Sequence, residues 1–203
     1  MTGSRELDRG LVGALLMTST ALLPVPAGAE ERFRFGTTEL TIAGGYSYSH
    51  STVGGSDVEG VDGFQFLPHF GYFLTDEHGP GGLRGNLELV AEPTLVHLTS
   101  KSESGTAVGL SALGRWVFAT EWIVRPYLEV GLGLLSGQLD FRQTNCDVNY
   151  VIGGGPGLLM FLSERAAITA GYRFQHISNA GACGKNLGLN SSLFMVGLSY
   201  FFR

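Results

Sequence analysis

Apart from its first residues, this 203-residue chain lacks long apolar runs: no later segment approaches 18 uninterrupted apolar residues. That excludes a transmembrane helix beyond the N-terminus, since spanning a bilayer takes about 20 such residues. Cysteine is scarce, with only Cys146 and Cys183, too few to staple a small fold or to hold a zinc ion. Charge is scarce too. Only 15% of residues are charged, and 13 Lys and Arg are outnumbered by 18 Asp and Glu, for a formal net charge of -5. Such a chain has no basic footprint for nucleic acid. Helical periodicity is absent, as is any internal repeat beyond hairpin after hairpin. No metal-ligand spacing occurs, so neither metal nor cofactor is expected.

Glycine, by contrast, is abundant, at 31 residues, and 44% of the chain is hydrophobic. The first residues read as an export signal. Arg5 and Arg9 make a weakly basic start, Leu11 to Leu23 is apolar, and Ala27-Gly28-Ala29 is a small-residue cleavage site. The alternative is a short N-terminal anchor helix, for which the run is too short. Residues 1–29 are therefore expected to be a signal peptide and 30–203 the mature domain, whose charge is unchanged because the removed acids and bases balance.

From Thr37 onward the sequence falls into eight runs with two-residue alternation, near 37–49, 63–74, 83–98, 106–118, 123–139, 149–162, 166–178 and 191–202. In the third, Leu87, Leu89, Ala91, Pro93 and Leu95 share one face, and Arg84, Asn86, Glu88, Glu92 and Thr94 the other. In the fifth, Val124 to Leu134 on the even positions oppose Arg125, Tyr127, Glu129, Gly131 and Gly133. Charges and glycines thus collect on one face. A small transmembrane barrel needs this pattern: polar and tiny side chains inside, apolar ones against lipid. A soluble lipocalin-like barrel would point its apolar residues inward, leaving the Arg and Glu faces outside. The expected fold is therefore all-β, an eight-stranded antiparallel transmembrane β-barrel of the outer-membrane type. Connections near 75–82, 119–122 and 163–165 read as short, and those near 50–62, 99–105, 140–148 and 179–190 as longer or more polar. With both termini in the periplasm, run seven ends at the outer rim. The aromatic ending Tyr200-Phe201-Phe202 fits an interface girdle.

At that end of run seven, Tyr172, Phe174, His176 and Ser178 share the apolar face, while Arg173 and Gln175 share the other. A candidate base therefore sits beside a candidate nucleophile on the lipid side. A serine hydroxyl attacks an ester only when an imidazole takes its proton, and the imidazole works best when a third group holds its other nitrogen. The bland reading of His-x-Ser is a polar cap at the rim.

The stretch from Tyr172 to Asn190, with His176-x-Ser178-Asn179-x-Gly181 and then Asn186-x-Gly188, closely resembles the lipid A 3-O-deacylase family of outer-membrane acyloxyacyl hydrolases. The resemblance implies a serine esterase in the outer membrane that hydrolyses the ester-linked acyl chain at the 3-position of lipid A. It implies Ser178 as nucleophile, His176 as general base, and Asn179, Gly181 and Asn186 around the oxyanion hole. The third member departs from the pattern. Asn190 stands where the best-known members have a glutamate, so it can orient the imidazole but cannot offer a full charge to it. Lipopolysaccharide is then the substrate and the outer membrane the setting, with a homodimer left open. The rival is a non-enzymatic small barrel for adhesion or membrane integrity, which has no reason to keep His176, Ser178 and Asn186 together.

Smaller readings complete the list. Glu88, Glu92, Arg125, Glu129 and Arg173 are expected to form a polar network in the lumen. His69 and His97 read as structural residues without a partner, and His50 and His78 as solvated loop or turn residues. By the strand count, Cys146 and Cys183 lie in two outer loops that the barrel brings to one rim, and a disulfide between them is expected over two free thiols.

Overall fold

The computed structural model describes residues 33–50, 60–139, 141, 144, 146–183 and 188–202; the expected signal peptide, 1–29, lies outside them. Eight strands follow one another: β1 (Thr38–Ser49), β2 (Asp62–Phe73), β3 (Gly85–Thr99), β4 (Ser104–Phe118), β5 (Val124–Gln138), β6 (Val148–Phe161), β7 (Ala166–Ser178) and β8 (Leu189–Phe202). Each pairs antiparallel with the next, and β1 pairs with β8, so the sheet closes and no edge is left. The boundaries fall within two residues of the alternating runs.

The parity of the strands is as the charge pattern predicts. Apolar residues, even-numbered on every strand except β3 and odd-numbered there, cover the outside, Phe64 being 69% and Leu132 68% exposed, a surface that only lipid can cover. Polar odd and even partners turn inward according to strand, and the lumen is filled in layers. An apolar cluster with Phe33, Phe73, Leu159 and Phe201 closes the end near the termini. Another, with Val61, Leu98, Leu135, Ile177 and Leu189, closes the opposite end. Between them lies an ionic layer. Arg115 reaches Glu39 at 2.9 Å, Glu88 at 3.3 Å and Glu129 at 3.2 Å; Arg173 reaches Glu92 at 2.6 Å and Glu129 at 2.7 Å. Charges taken out of water are tolerated only when paired this fully. Gly71 belongs to the same design, because a Cβ there would collide with the Glu88 carboxylate.

Several expectations are amended. The network gains Glu39, Arg115 and His69, whose Nε2 lies 2.7 Å from Glu92. Arg125 instead lies over the Phe33 ring, 4.8 Å from its centre. Arg84 is not on the inner face of β3 but in the preceding turn, paired with Glu77 at 2.6 Å. His97, which has no partner at ligand spacing in the sequence, bonds Thr106 Oγ1 at 2.8 Å, and His78, an exposed turn residue as expected, bonds the Asp76 carbonyl and meets the Trp116 ring edge-on. The connection expected to be long near 99–105 is a four-residue turn, 100–103, closed by Ser100 N–H donating to Glu103 O at 2.7 Å. Its polarity comes from a serine capping the turn, not from length. The connection near 75–82, expected short, spans 74–84 and contains a 3₁₀ turn, Gly81–Leu83.

Candidate functional site

Parity at the end of β7 is held from inside. Arg173 is tied to two glutamates, Gln175 Oε1 accepts from Gln65 Nε2 at 2.9 Å, and Ile177, 2% exposed, sits in the apolar layer. With three successive odd residues committed to the lumen, Phe174, His176 and Ser178 must face outward. On β8 the same argument applies: Leu189 is buried in that layer, so Asn190 faces outward, in register opposite His176.

The register brings His176 Nδ1 within 2.7 Å of Asn190 Oδ1. A carbonyl oxygen only accepts, so Nδ1 carries the proton and Nε2 is left as the basic nitrogen. Nε2 has no hydrogen-bond partner among the described residues. Ser178 shares the face, and no hydrogen bond joins it to His176; pairs of this kind often tighten only around a substrate. Gly188 packs on the other side of the ring. A Cβ on it would stand 2.6 Å from His176 Cε1, and its φ of +68° favours glycine. The motif named Gly188, but only the structure gives it this contact.

Beyond Ser178 the chain turns sharply through Ala180, at φ 51°, and Gly181, at φ 82°. Asn179 is fully buried, and its Oδ1 accepts from Gly181 N–H at 2.8 Å, an Asx turn. Asn179 Nδ2 has no hydrogen-bond partner among the described residues, an uncommon state for a buried donor. The Gly181 N–H is thus engaged in orienting Asn179. Asn186 lies outside the described residues. Cys146 and Cys183 are joined by a disulfide with a Cα–Cα distance of 5.8 Å, linking connection 139–147 to 179–188.

One group at this rim was misjudged. His50 is no solvated loop residue: its N–H donates to Asn190 O at 3.0 Å, and its Nε2 lies 3.1 Å from Ser192 Oγ, which is 3.2 Å from Tyr172 Oη. With a sequence separation of 142 between His50 and Ser192, only strand parity, which puts Ser192 on the face of Asn190, signals the contact. Further down the same wall, Leu128, Pro156, Leu158, Ala170, Tyr172 and Phe194 line an open apolar depression. Behind it, Gly157 and Gly171 leave room for the buried Tyr127 ring, which a Cβ on either would strike.

A closed eight-stranded barrel with a charged, plugged lumen, an apolar outer belt and a polar cluster on that belt defines an outer-membrane β-barrel protein with a laterally accessible site. More particularly, the chain belongs to the lipid A 3-O-deacylase (PagL) family, whose model matches residues 33–199. Among solved structures it is similar to the outer membrane enzyme PagL, with 16% identity, a TM-score of 0.55, and 78% of this chain and 97% of that one covered. It is also similar to Neisserial surface protein A (NspA), with 17% identity, a TM-score of 0.52, and 82% and 96% covered. At these identities both likenesses bear on the fold. No curated protein matches the chain. The outer membrane is its location, and the comparisons give the homodimer no support.

Proposed function

We propose that this chain is a serine esterase that removes the acyl chain ester-linked at the 3-position of lipid A, working from the lipid-facing wall. The observation that carries the reading is the 2.7 Å bond from His176 Nδ1 to Asn190 Oδ1 beside an outward Ser178, in a chain of this family. An adhesion barrel gives no reason for a tethered imidazole on a surface meant for lipid.

In this reading Ser178 Oγ attacks the ester carbonyl as its proton passes to His176 Nε2. The tetrahedral oxyanion forms near the buried Asn179 Nδ2, a donor without a partner among the described residues that Gly181 helps to aim; such donors contribute about 3–4 kcal/mol to lowering the barrier. Asn186 is proposed as a second donor. Collapse breaks the bond to the sugar oxygen, which leaves with the proton from His176. Water then attacks the acyl-enzyme, His176 again taking the proton, and the fatty acid is freed. The ester reaches the site by lateral diffusion, and the apolar depression, about 13 Å down β7 from His176 at Tyr172, offers the acyl chain a bed. Asn190 holds the ring but leaves the imidazolium without a neighbouring carboxylate, which favours a slower enzyme than one with glutamate there.

Ser178→Ala and His176→Ala are each expected to abolish loss of the 3-linked chain, read by mass spectrometry of lipid A from cells making equal amounts of protein. Heat-modifiability on gels checks that both variants fold. Undiminished deacylation in either one overturns the mechanism.

A further inference from the structure

The outer wall between β1 and β7 carries a second polar chain that the esterase mechanism does not use. Ser192, 4% exposed, faces the lipid side, with Tyr48 on β1 and Phe174 on β7 as its register neighbours. Its hydroxyl lies between Tyr172 Oη, at 3.2 Å, and His50 Nε2, at 3.1 Å. Either hydroxyl of the Tyr172–Ser192 pair can donate; run from Tyr172 through Ser192 to His50 Nε2, the chain leaves neither hydroxyl proton without an acceptor, and on that assignment His50 carries its own proton on Nδ1. That Nδ1–H has no partner among the described residues. The ring is steadied by Phe174, 5.8 Å between centroids, and its backbone N–H is bonded to Asn190 O. His50 is thus held at the level of His176, on the other flank of Asn190, two strand spacings or about 10 Å away.

We propose that His50 is a positioning residue that binds a phosphate on the head of the glycolipid substrate, with Ser192 and Tyr172 fixing its tautomer. The proposal rests on the lipid A reading above. An Nδ1–H donor calls for an acceptor oxygen, which a phosphate supplies in a charge-assisted bond. A phosphorylated sugar whose ester lies at Ser178 spans the gap to His50, while its acyl chain descends the wall the other way.

The test separates this from the esterase reading by measuring binding in the Ser178→Ala background, in detergent micelles, with lipid A and with chemically dephosphorylated lipid A. Adding His50→Ala is expected to weaken binding of the phosphorylated lipid about fivefold to tenfold, leaving the dephosphorylated one unchanged. His50→Gln, which keeps an N–H donor, is expected to restore part of the loss, and Ser192→Ala to reproduce part of it. In the otherwise native enzyme, His50→Ala is expected to raise KM for lipid A more than it lowers kcat. Equal weakening for both lipids, or none for either, overturns the proposal. Absence of ester hydrolysis by the native chain overturns the esterase reading instead and leaves the binding comparison to stand or fall by itself.

Discussion

Replacing Gly188 by alanine probes the site without removing any group proposed to do chemistry. The new Cβ would meet His176 Cε1 at 2.6 Å, whereas ordinary contact begins at 3.4 Å, so the ring must retreat by about 0.8 Å. Retreat by that much stretches the 2.7 Å bond to Asn190 to the edge of hydrogen bonding. The left-handed backbone at φ +68° adds about 1–2 kcal/mol of strain for a residue with a Cβ. A misplacement of about 1 Å in a catalytic base costs on the order of 100-fold in rate, so we expect a fall of about 30- to 100-fold. The assay is fatty acid released from lipid A by purified, refolded barrel, normalised to the heat-modifiable fraction. Gly81→Ala, in the connection at the opposite end of the barrel, is the matched control: its φ is also positive, at +51°, but its Cβ would meet nothing within 4 Å. Should Gly188→Ala stay within about threefold of the parent, or Gly81→Ala lose as much, the contact with the imidazole does not hold the ring.

Asn190→Ala should slow hydrolysis about threefold to tenfold through loss of one neutral hydrogen bond, while Asn190→Asp or Asn190→Glu should match or exceed the parent; an unaffected alanine variant means that another group orients His176. Unreduced, denatured protein should show no reactive thiol, because Cys146 and Cys183 are bridged; two labelled thiols per chain refute the bridge. The closed segment of 37 residues gives the bridge about 3–4 kcal/mol of stabilisation on chain-entropy grounds, yet reduction should lower activity more than barrel stability, since the tether lies in the loop beside the site. Arg173→Ala leaves Glu92 with His69 alone and Glu129 with Arg115 alone, and should cost about 3–5 kcal/mol, read as a lower urea midpoint for loss of the heat-modifiable form; an unchanged midpoint rules out the ionic layer as a stabilising element.

The barrel was legible because a two-residue period is a local property: Leu87 and Leu89 against Glu88 need no knowledge of the partner strand. Connection length was less legible, since Ser100 makes a tight turn from residues that read as a long loop. In the candidate site, His176 and Ser178 could be put on one face because they lie two apart on one strand, and Asn190 is proposed because the resemblance assigns its position to the third member. The Asn190 contact itself depends on the β7–β8 register. The parts that escaped, His50 against Ser192 and Gly188 against the imidazole, join segments whose separation carries no spacing signal, or depend on an atom that glycine does not have. Arg115 was missed as the centre of the ionic layer because a lone arginine among Gly114, Trp116 and Val117 looks like any other charge.

The inward commitment of Arg173, Gln175 and Ile177 constrains how the gene can vary. Gain or loss of a single codon within Ala166–Ser178 would carry His176 and Ser178 from the membrane to the plugged interior in one step. Two codons would restore the face, but would slide the histidine about 7 Å along the strand, away from Asn190. Length is therefore invariant in this strand in a way that composition is not. Descendants of this chain should record insertions and deletions in the connections 51–59 and 74–84, and only substitutions between Arg173 and Ser178.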